Sequence, residues 1–388
     1  MITVIADDLT GAAEIAGICL RHGIDVGFGI DTIPENQGQV NVIATDSRSC
    51  SESEAYEIHK NIAKQLLKSE SSQIIFKKCD SVLRGHILAE VSAMLEVLNK
   101  NIAVLQPANP ENNRYVRNGI YYVNGNKIEL SGFATDPDFP AKYSTVKDIL
   151  NSRNHQELKK LDHVFTGEIT RINKQGLYIP DCHSVDDFSS TLELYNGSNL
   201  IGGSAPFFEA FLLKQPVFSR MKVTSRYQFS SQYLLLSGSS HNESIKFAKA
   251  LRLKNCPLVV FPKELLKPEV SNADLALFKT EITNQFAKHQ KVTLRVSVEL
   301  IHFKNSSKIL KDRLCLIVKQ FLSDQKINDI FIEGGATAYD VLKKLNWNSF
   351  TPIAELALGV VRMRNDLHPE KYITIKPGSY KWPYGLFN

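Results

Sequence analysis

The sequence predicts an α/β fold: two α/β domains with mainly parallel sheets and a cleft between them. Three observations carry this expectation. Short β-branched runs alternate with longer segments of helical period along most of the chain, the pattern of parallel strands joined by crossover helices. The length of 388 residues fits two domains at roughly 150 residues each. A polar connector from Lys222 to Ser231 interrupts the alternation, placing a boundary near 222 to 232 between a domain of 1–225 and one of 230–388.

In the first domain, ITVIA at 2–6 reads as a buried strand and 12–23 as a helix ending on the glycine at 23. Strands follow at 26–30 and 41–45, a helix from about 52 to 68, a strand at 73–77, a helix from Ile87 to Leu98 and a strand at 102–107. From 108 to 142 the texture changes to Asn, Pro, Gly and paired aromatics, as in a flap. Within it Asn124-Gly125 marks a hairpin between Tyr121-Tyr122-Val123 and Lys127-Ile128. Short strands return in VFTG and LYIPDC, and IGGSAPFFEAFLL closes the domain with a Gly-Gly turn feeding a helix. The second domain repeats the alternation: YLLLSGSS, a helix at 242–251, PLVVF at 257–261, helices across 272–288, VTLRVSV at 292–298, a helix near 307–322, DIFIEGG at 329–335 and a helix to Leu345.

Composition excludes several classes of function. With 46 Lys+Arg against 41 Asp+Glu, a net charge of +5 spread along the chain leaves no basic block to track nucleic acid or an anionic membrane. No run approaches a membrane span, and Asp7 and Asp8 interrupt the first apolar run too early for a signal peptide; the expectation is a cytoplasmic protein. Six cysteines without a CxxC pair or a histidine at ligand spacing indicate free thiols and no protein-built metal site. Cys79 sits in a dense polar motif, but a small buried thiol accounts for it better than a nucleophile.

In open α/β sheets ligands bind beyond the carboxyl ends of the strands, so polar residues just after a strand carry the argument. Asp7-Asp8-Leu9-Thr10-Gly11 follows the first strand, and one of its carboxylates can serve as general base or reach Mg²⁺, or simply cap the next helix. Thr45-Asp46-Ser47-Arg48 offers an arginine able to grip a carboxylate in two-pronged fashion, or a turn with an exposed arginine. Lys77-Lys78-Cys79-Asp80-Ser81-Val82-Leu83-Arg84-Gly85-His86 places cations and a carboxylate at one strand end before a helix N-terminus, an anion site. Asn109, Arg114 and Gly119, with Asp136-Pro137 beyond the hairpin, form a fourth, weaker cluster. The second domain has two glycine turns after strands, Ser237-Gly238-Ser239-Ser240 and Gly334-Gly335-Ala336-Thr337-Ala338, which can present backbone N–H groups to phosphate. No Walker loop and no dinucleotide fingerprint occurs. An anion-binding domain followed by a phosphate-cradling one suggests phosphoryl transfer across the cleft.

These motifs, in this order, resemble the four-carbon acid sugar kinase family, over nearly the whole chain. IADDLTGAAE, TDSR, KKCDSVLRGHILAE, the Pro107 to Gly119 stretch and Asp136-Pro137 are similar to its sugar-acid domain; LSGSS, EGGATA and IKPGSY are similar to its nucleotide domain. The resemblance implies phosphorylation, by ATP with Mg²⁺, of a hydroxyl on threonate, erythronate or 3-oxo-tetronate. It implies that Asp7, Asp8, Arg48, Lys78, Asp80 and Arg84 line the acid-sugar site, with Asp8 or Asp80 as the base, and that Ser239, Gly334, Gly335, Thr337 and Gly378 line the ATP site. A small-molecule sugar acid is then the partner, and a homodimer rests on the resemblance alone. Two other readings stay open. Glu243 and Ile245 stand where the family has Thr and Gln, and Lys381 where it has Gly, as in a non-catalytic sensor of sugar acid or nucleotide. An aldolase or isomerase would instead form a Schiff base on Lys77 or Lys78, which requires a neutral lysine.

Overall fold

The computed structural model describes residues 1–69, 74–153, 161, 163–215, 229–239, 241–267, 269–297 and 307–387. Gln73, residues 222–228 of the connector, Ser240 and Val298 lie outside them. The chain divides into two compact units, Met1–Met221 and Lys222–Asn388.

Unit 1 runs β1 (Ile2–Ala6), α1 (Leu9–Arg21), β2 (Val26–Ile30), β3 (Val40–Ala44), α2 (Glu52–Ser69), β4 (Ile74–Lys78), α3 (Ile87–Val97) and β5 (Ile102–Gln106). The small strands β6 (Arg114–Arg117), β7 (Ile120–Val123) and β8 (Asn126–Lys127) come next, followed by α4 (Val146–Asn151), β9 (Val164–Gly167), β10 (Gly176–Pro180), α5 (Phe188–Glu193), β11 (Leu200–Gly203) and α6 (Ala205–Leu213). Its main strands are ordered β2-β3-β1-β4-β11-β5-β10-β9, and every pairing is parallel. Period-2 alternation gives β4 two different faces. Phe76 packs against Phe208 of α6 at a 5.1 Å ring separation, while the next residue, Lys77, points to the opposite face, where α2 and α3 lie together.

Helix α1 starts three residues earlier than the sequence suggests, because the Asp8 side chain caps it by accepting from Gly11 N at 3.2 Å. The Asn124-Gly125 hairpin forms with both residues at positive φ, 49° and 80°. The segment around it is not a loose flap: Val116, Tyr121 and Ile128 are buried in a hydrophobic core cluster of unit 1 with residues of β1, β3, α3 and β5, and Val116 bridges Cys182.

Unit 2 runs β12 (Tyr233–Ser237), α7 (Asn242–Leu253), β13 (Leu258–Val260), α8 (Asn272–His289), β14 (Lys291–Arg295), α9 (Ser307–Asp324), β15 (Asp329–Glu333) and α10 (Gly335–Leu345). Three further strands, β16 (Ser349–Ala357), β17 (Val360–Asn365) and β18 (Tyr372–Lys376), complete it. The order is β13-β14-β12-β15-β18-β17-β16, parallel as far as β18 and antiparallel from β18 through β17 to β16. The expected helices across 272–288 are one helix, started by a capping box between Ser271 and Asp274. Phe331, Trp382 and Phe387 pack edge to face beneath the sheet.

Both units use the same opening order: second, third, first, fourth strand. In unit 1 the direction of progress reverses between β1 and β4, and in unit 2 between β12 and β15. Such reversals leave a crevice at the carboxyl ends of the two strands concerned.

Candidate functional site

The reversal in unit 1 gathers the charged residues predicted from sequence. Arg48, after β3, turns its guanidinium onto the residues after β1: Nε donates to Asp7 Oδ2 at 2.8 Å and Nη2 to Asp8 Oδ1 at 2.9 Å. Arg48 is thus engaged by the chain's own carboxylates rather than held open for a substrate. Asp7 is fully buried, and its Oδ1 has no hydrogen-bond partner among the described residues. Burial raises its pKa, against the pull of Arg48 and Lys77. Asp8 is the more accessible of the two, with 16% of its side chain exposed against 1% for Asp7. Burial would raise it too, but Arg48, Lys78 and a hydrogen bond from Thr10 prevail and lower it, keeping the carboxylate ionised.

Asp80 sits after β4 and is more completely engaged. Its Oδ2 accepts from the backbone N–H of Val82 and of Arg84, both at 3.1 Å. The Arg84 fork closes on both oxygens at 3.0 and 2.9 Å. Burial opposes its charge, yet Arg84 and Arg48 hold its carboxyl far below the usual range. This wrapping fixes the turn in which Leu83, fully buried, takes a φ of 60°. Arg84 also donates to Asp136 Oδ2 at 3.3 Å, so the weak Asp136-Pro137 signal belongs to this site. Arg114 donates to Ser81 Oγ at 2.7 Å, and Phe133 lies beneath both Arg114 and Arg84.

The two adjacent lysines separate, because neighbouring residues of a strand face opposite ways. Lys78 stays with the site: burial weakens its charge, but Glu14, Asp7 and Asp8 outweigh this and raise its pKa. Lys77 leaves it, pairing with buried Glu90 at 2.9 Å beneath α2 and α3. The expectation that both lysines form one anion site is therefore corrected. Cys79 is buried and its thiol is pushed up to about 12 by burial, the inert thiol expected. Sequence reasoning did not single out Glu14, Glu90 or Arg153. Glu14 lies within the IADDLTGAAE motif and Glu90 closes the KKCDSVLRGHILAE motif, but Arg153 carries no local signal.

In unit 2 the glycine turns meet at the reversal between β12 and β15. Gly238 N donates to Glu333 O at 3.0 Å. A Cβ on Gly238 would lie 1.9 Å from Thr337 Oγ1, and one on Gly378 would lie 2.5 Å from Ser239 Oγ. Ser239, Gly334, Gly335, Thr337 and Gly378 thus converge, and Gly334 holds a φ of 103° that a side chain would strain. Beneath them lies a buried scaffold in which Lys376 of IKPGSY and Glu333 of EGGATA pair in a way the sequence reading did not foresee. Lys376 Nζ binds Glu333 Oε1 at 2.6 Å, Pro377 O at 2.8 Å and Tyr380 O at 2.6 Å. Arg295 donates from Nη1 to Ser237 Oγ and from Nη2 to Ser239 O, each at 2.9 Å. The surface above is made of backbone and hydroxyl groups, which fits an anionic, oxygen-rich ligand such as a nucleotide phosphate.

The two units therefore define an α/β protein with a charged site at one strand reversal and a glycine-lined site at another. Residues 2–211 match the family model of a sugar-binding N-terminal domain, and residues 234–380 that of a nucleotide-binding C-terminal domain. The chain belongs to the four-carbon acid sugar kinase family. Over 158 residues it is 32% identical to a 3-oxo-tetronate kinase of Brucella melitensis, covering 39% of this chain and 36% of that protein. A D-erythronate kinase of Heliobacterium modesticaldum is 31% identical over 160 residues, 39% of this chain and 36% of that protein. A D-threonate kinase of Bordetella bronchiseptica is 31% identical over 157 residues, 38% of each. The matched stretch thus spans just over a third of the length of these relatives. In fold, crystal structures of a Salmonella typhimurium protein (TM-score 0.75, 18% identity, 98% of this chain and 96% of that one) and a Haemophilus influenzae protein (TM-score 0.71, 18% identity, all of both chains) are similar throughout. Among the described residues no helix is long and apolar enough to cross a membrane.

Proposed function

We propose that the chain is an ATP-dependent kinase that phosphorylates a hydroxyl of a four-carbon sugar acid of the threonate, erythronate or 3-oxo-tetronate type. The observation that carries this reading is the matched pair of strand reversals, one lined by charged side chains and the other by closely packed glycine and hydroxyl residues. Residues 1–225 would hold the acid and 230–388 the nucleotide. Transfer forms a bond between the acceptor oxygen and the γ-phosphorus and breaks the bond to the β,γ-bridging oxygen, releasing ADP. The acceptor proton goes to a carboxylate.

Asp8 is the better base of the two carboxylates expected from sequence. Asp80 has its oxygens committed to two backbone amides and the Arg84 fork. Asp8 accepts from Arg48, Gly11 and Thr10, but its side chain is the more exposed of the two, 16% against 9% for Asp80. Arg48 holds Asp7 and Asp8 in place, and Lys78 supplies positive potential beside them. Ser239, Gly334, Gly335, Thr337 and Gly378 cradle the ATP phosphates, and Mg²⁺ arrives with the nucleotide because it keeps phosphate and water ligands. The Schiff-base reading is disfavoured, since Lys78 is held protonated and Lys77 is ion-paired with Glu90.

An ATP-depletion screen against the stereoisomers of threonate, erythronate and 3-oxo-tetronate tests the proposal. Turnover with at least one is expected. Calorimetric uptake of an acid without turnover of any would instead favour the sensor.

A further inference from the structure

A sugar-acid substrate brings a carboxylate into unit 1, where the arginines Arg48 and Arg84 are already paired with carboxylates of the chain. Arg48 is spent on Asp7 and Asp8, Arg84 on Asp80 and Asp136, and Lys77 on Glu90. Lys78 faces Glu14, Asp7 and Asp8. A carboxylate entering this site needs a donor whose charge is not already matched.

Arg153, just beyond α4, is such a donor. Its Nη1 is buried and has no hydrogen-bond partner among the described residues. The guanidinium lies over the ring of Phe139, 5.3 Å from the centroid. Phe139 in turn donates its N–H to Asp136 Oδ1 at 2.8 Å, and Asp136 Oδ2 receives Arg84. Phe139 also meets His86, beside the start of α3, at a ring separation of 5.6 Å. Arg153 is therefore joined to the Asp80–Arg84 pair through three contacts, by way of Phe139 and Asp136, and its Nη1 has no partner among the described residues. Burial lowers its pKa to about 10 despite the nearby Asp80 and Asp136, so the buried charge is under-compensated. Arg114 is the alternative, but its Nη1 already donates to Ser81.

We infer that Arg153 is the specificity-determining residue that receives the substrate carboxylate through Nη1, an assignment that rests on the acid-sugar kinase reading. The site would then distinguish a sugar acid from the neutral amide or alditol of the same carbon skeleton, whose hydroxyl pattern alone would not fill this donor.

The test compares the full-length wild type with R153M, R153K and R114M, by calorimetric titration of threonate and erythronate and by steady-state kinetics. R153M should weaken acid binding and raise the acid KM by about 10- to 100-fold while the ATP KM moves less than about twofold. R153K should recover part of the loss, and the uncharged C4 acid amides should bind wild type and R153M alike. If R153M melts early, R153K and R153Q carry the same comparison. Acid affinity unchanged in the Arg153 variants overturns the assignment, and a loss confined to R114M moves the role to Arg114. Failure of the wild type to bind any C4 acid overturns the kinase reading itself, and this assignment with it.

Discussion

Units 1 and 2 begin with the same strand order and treat its reversal in opposite ways. In unit 1 the carboxyl ends of β1, β3 and β4 carry ionised side chains that reach the crevice themselves, Asp8, Arg48, Asp80 and Arg84 among them. In unit 2 the acidic and basic side chains lie below: Glu333, Lys376 and Arg295 are buried and fix the turns, while glycine and hydroxyl groups form the surface. Under the proposed function the first reversal would receive a small acid whose hydroxyl proton must be moved, and the second a polyphosphate that must only be held. The fold supplies the place, and the residues after each strand supply the chemistry.

Substitutions that touch one side only can break this contrast. Asp8→Asn should have the largest effect, a fall in kcat of about 100- to 10,000-fold with both KM values little changed. Asn also caps a helix well, so the start of α1 and the melting curve should be preserved. If Asp8→Asn keeps near-normal turnover, the base lies elsewhere. Lys77→Met probes the buried lysine rather than the site. It strands the Glu90 carboxylate and should cost about 3–5 kcal/mol in urea unfolding, with the acid KM of the folded protein unmoved. A raised acid KM would return Lys77 to the site.

The same buried cluster should give unit 1 a pH dependence of its own. Burial pushes His59 down to about 4 from an ordinary 6.5, although Glu90 opposes this. Its pKa is depressed in the folded state, so between about 6.5 and 4 the unfolded chain binds a proton that the folded chain refuses. Stability contributed by neutral His59 is full above 6.5 and is lost as pH falls through this window, by up to about 1.4 kcal/mol per pH unit. Glu90, held to about 2 by Lys77 and His59 against the effect of burial, extends the loss to lower pH. Urea midpoints across the window should fall with acid in the wild type and less steeply in His59→Asn; equal slopes would remove His59 from the account. The smallest effect is expected in unit 2. Gly334→Ala forces a side chain onto a φ of 103° at a cost of about 1–2 kcal/mol, which should weaken ATP binding roughly tenfold and leave the acid KM unchanged. A matching change in acid affinity would blur the division of labour.

The sequence made the strand ends legible because an apolar run followed by a polar cluster is a local signal. It therefore showed Asp7, Asp8, Lys78 and Asp80, and the glycines of unit 2. What it hid depends on strand order. Arg48 lies 41 residues from Asp7 in the chain, and only the placement of β3 beside β1 reveals that it serves the chain's own carboxylates. The separation of Lys77 from Lys78 follows from strand alternation and was within reach of the sequence. The convergence of Lys376 on Glu333 was not, because it requires β18 to lie next to β15. The strands β16 to β18 alternate apolar and polar residues, but Pro352 and the Leu358-Gly359 turn interrupt the pattern. Arg153 follows a short helix, with no motif around it.

Phosphorus NMR of the wild type and Asp8→Asn, each mixed with Mg²⁺-ATP and the best C4 acid, tests the central claim most directly. The account predicts a phosphomonoester appearing in step with ADP for the wild type, and almost none for Asp8→Asn although calorimetry still detects both ligands. Ester formed at similar rates by the two proteins, or ADP released without ester by the wild type, would contradict it.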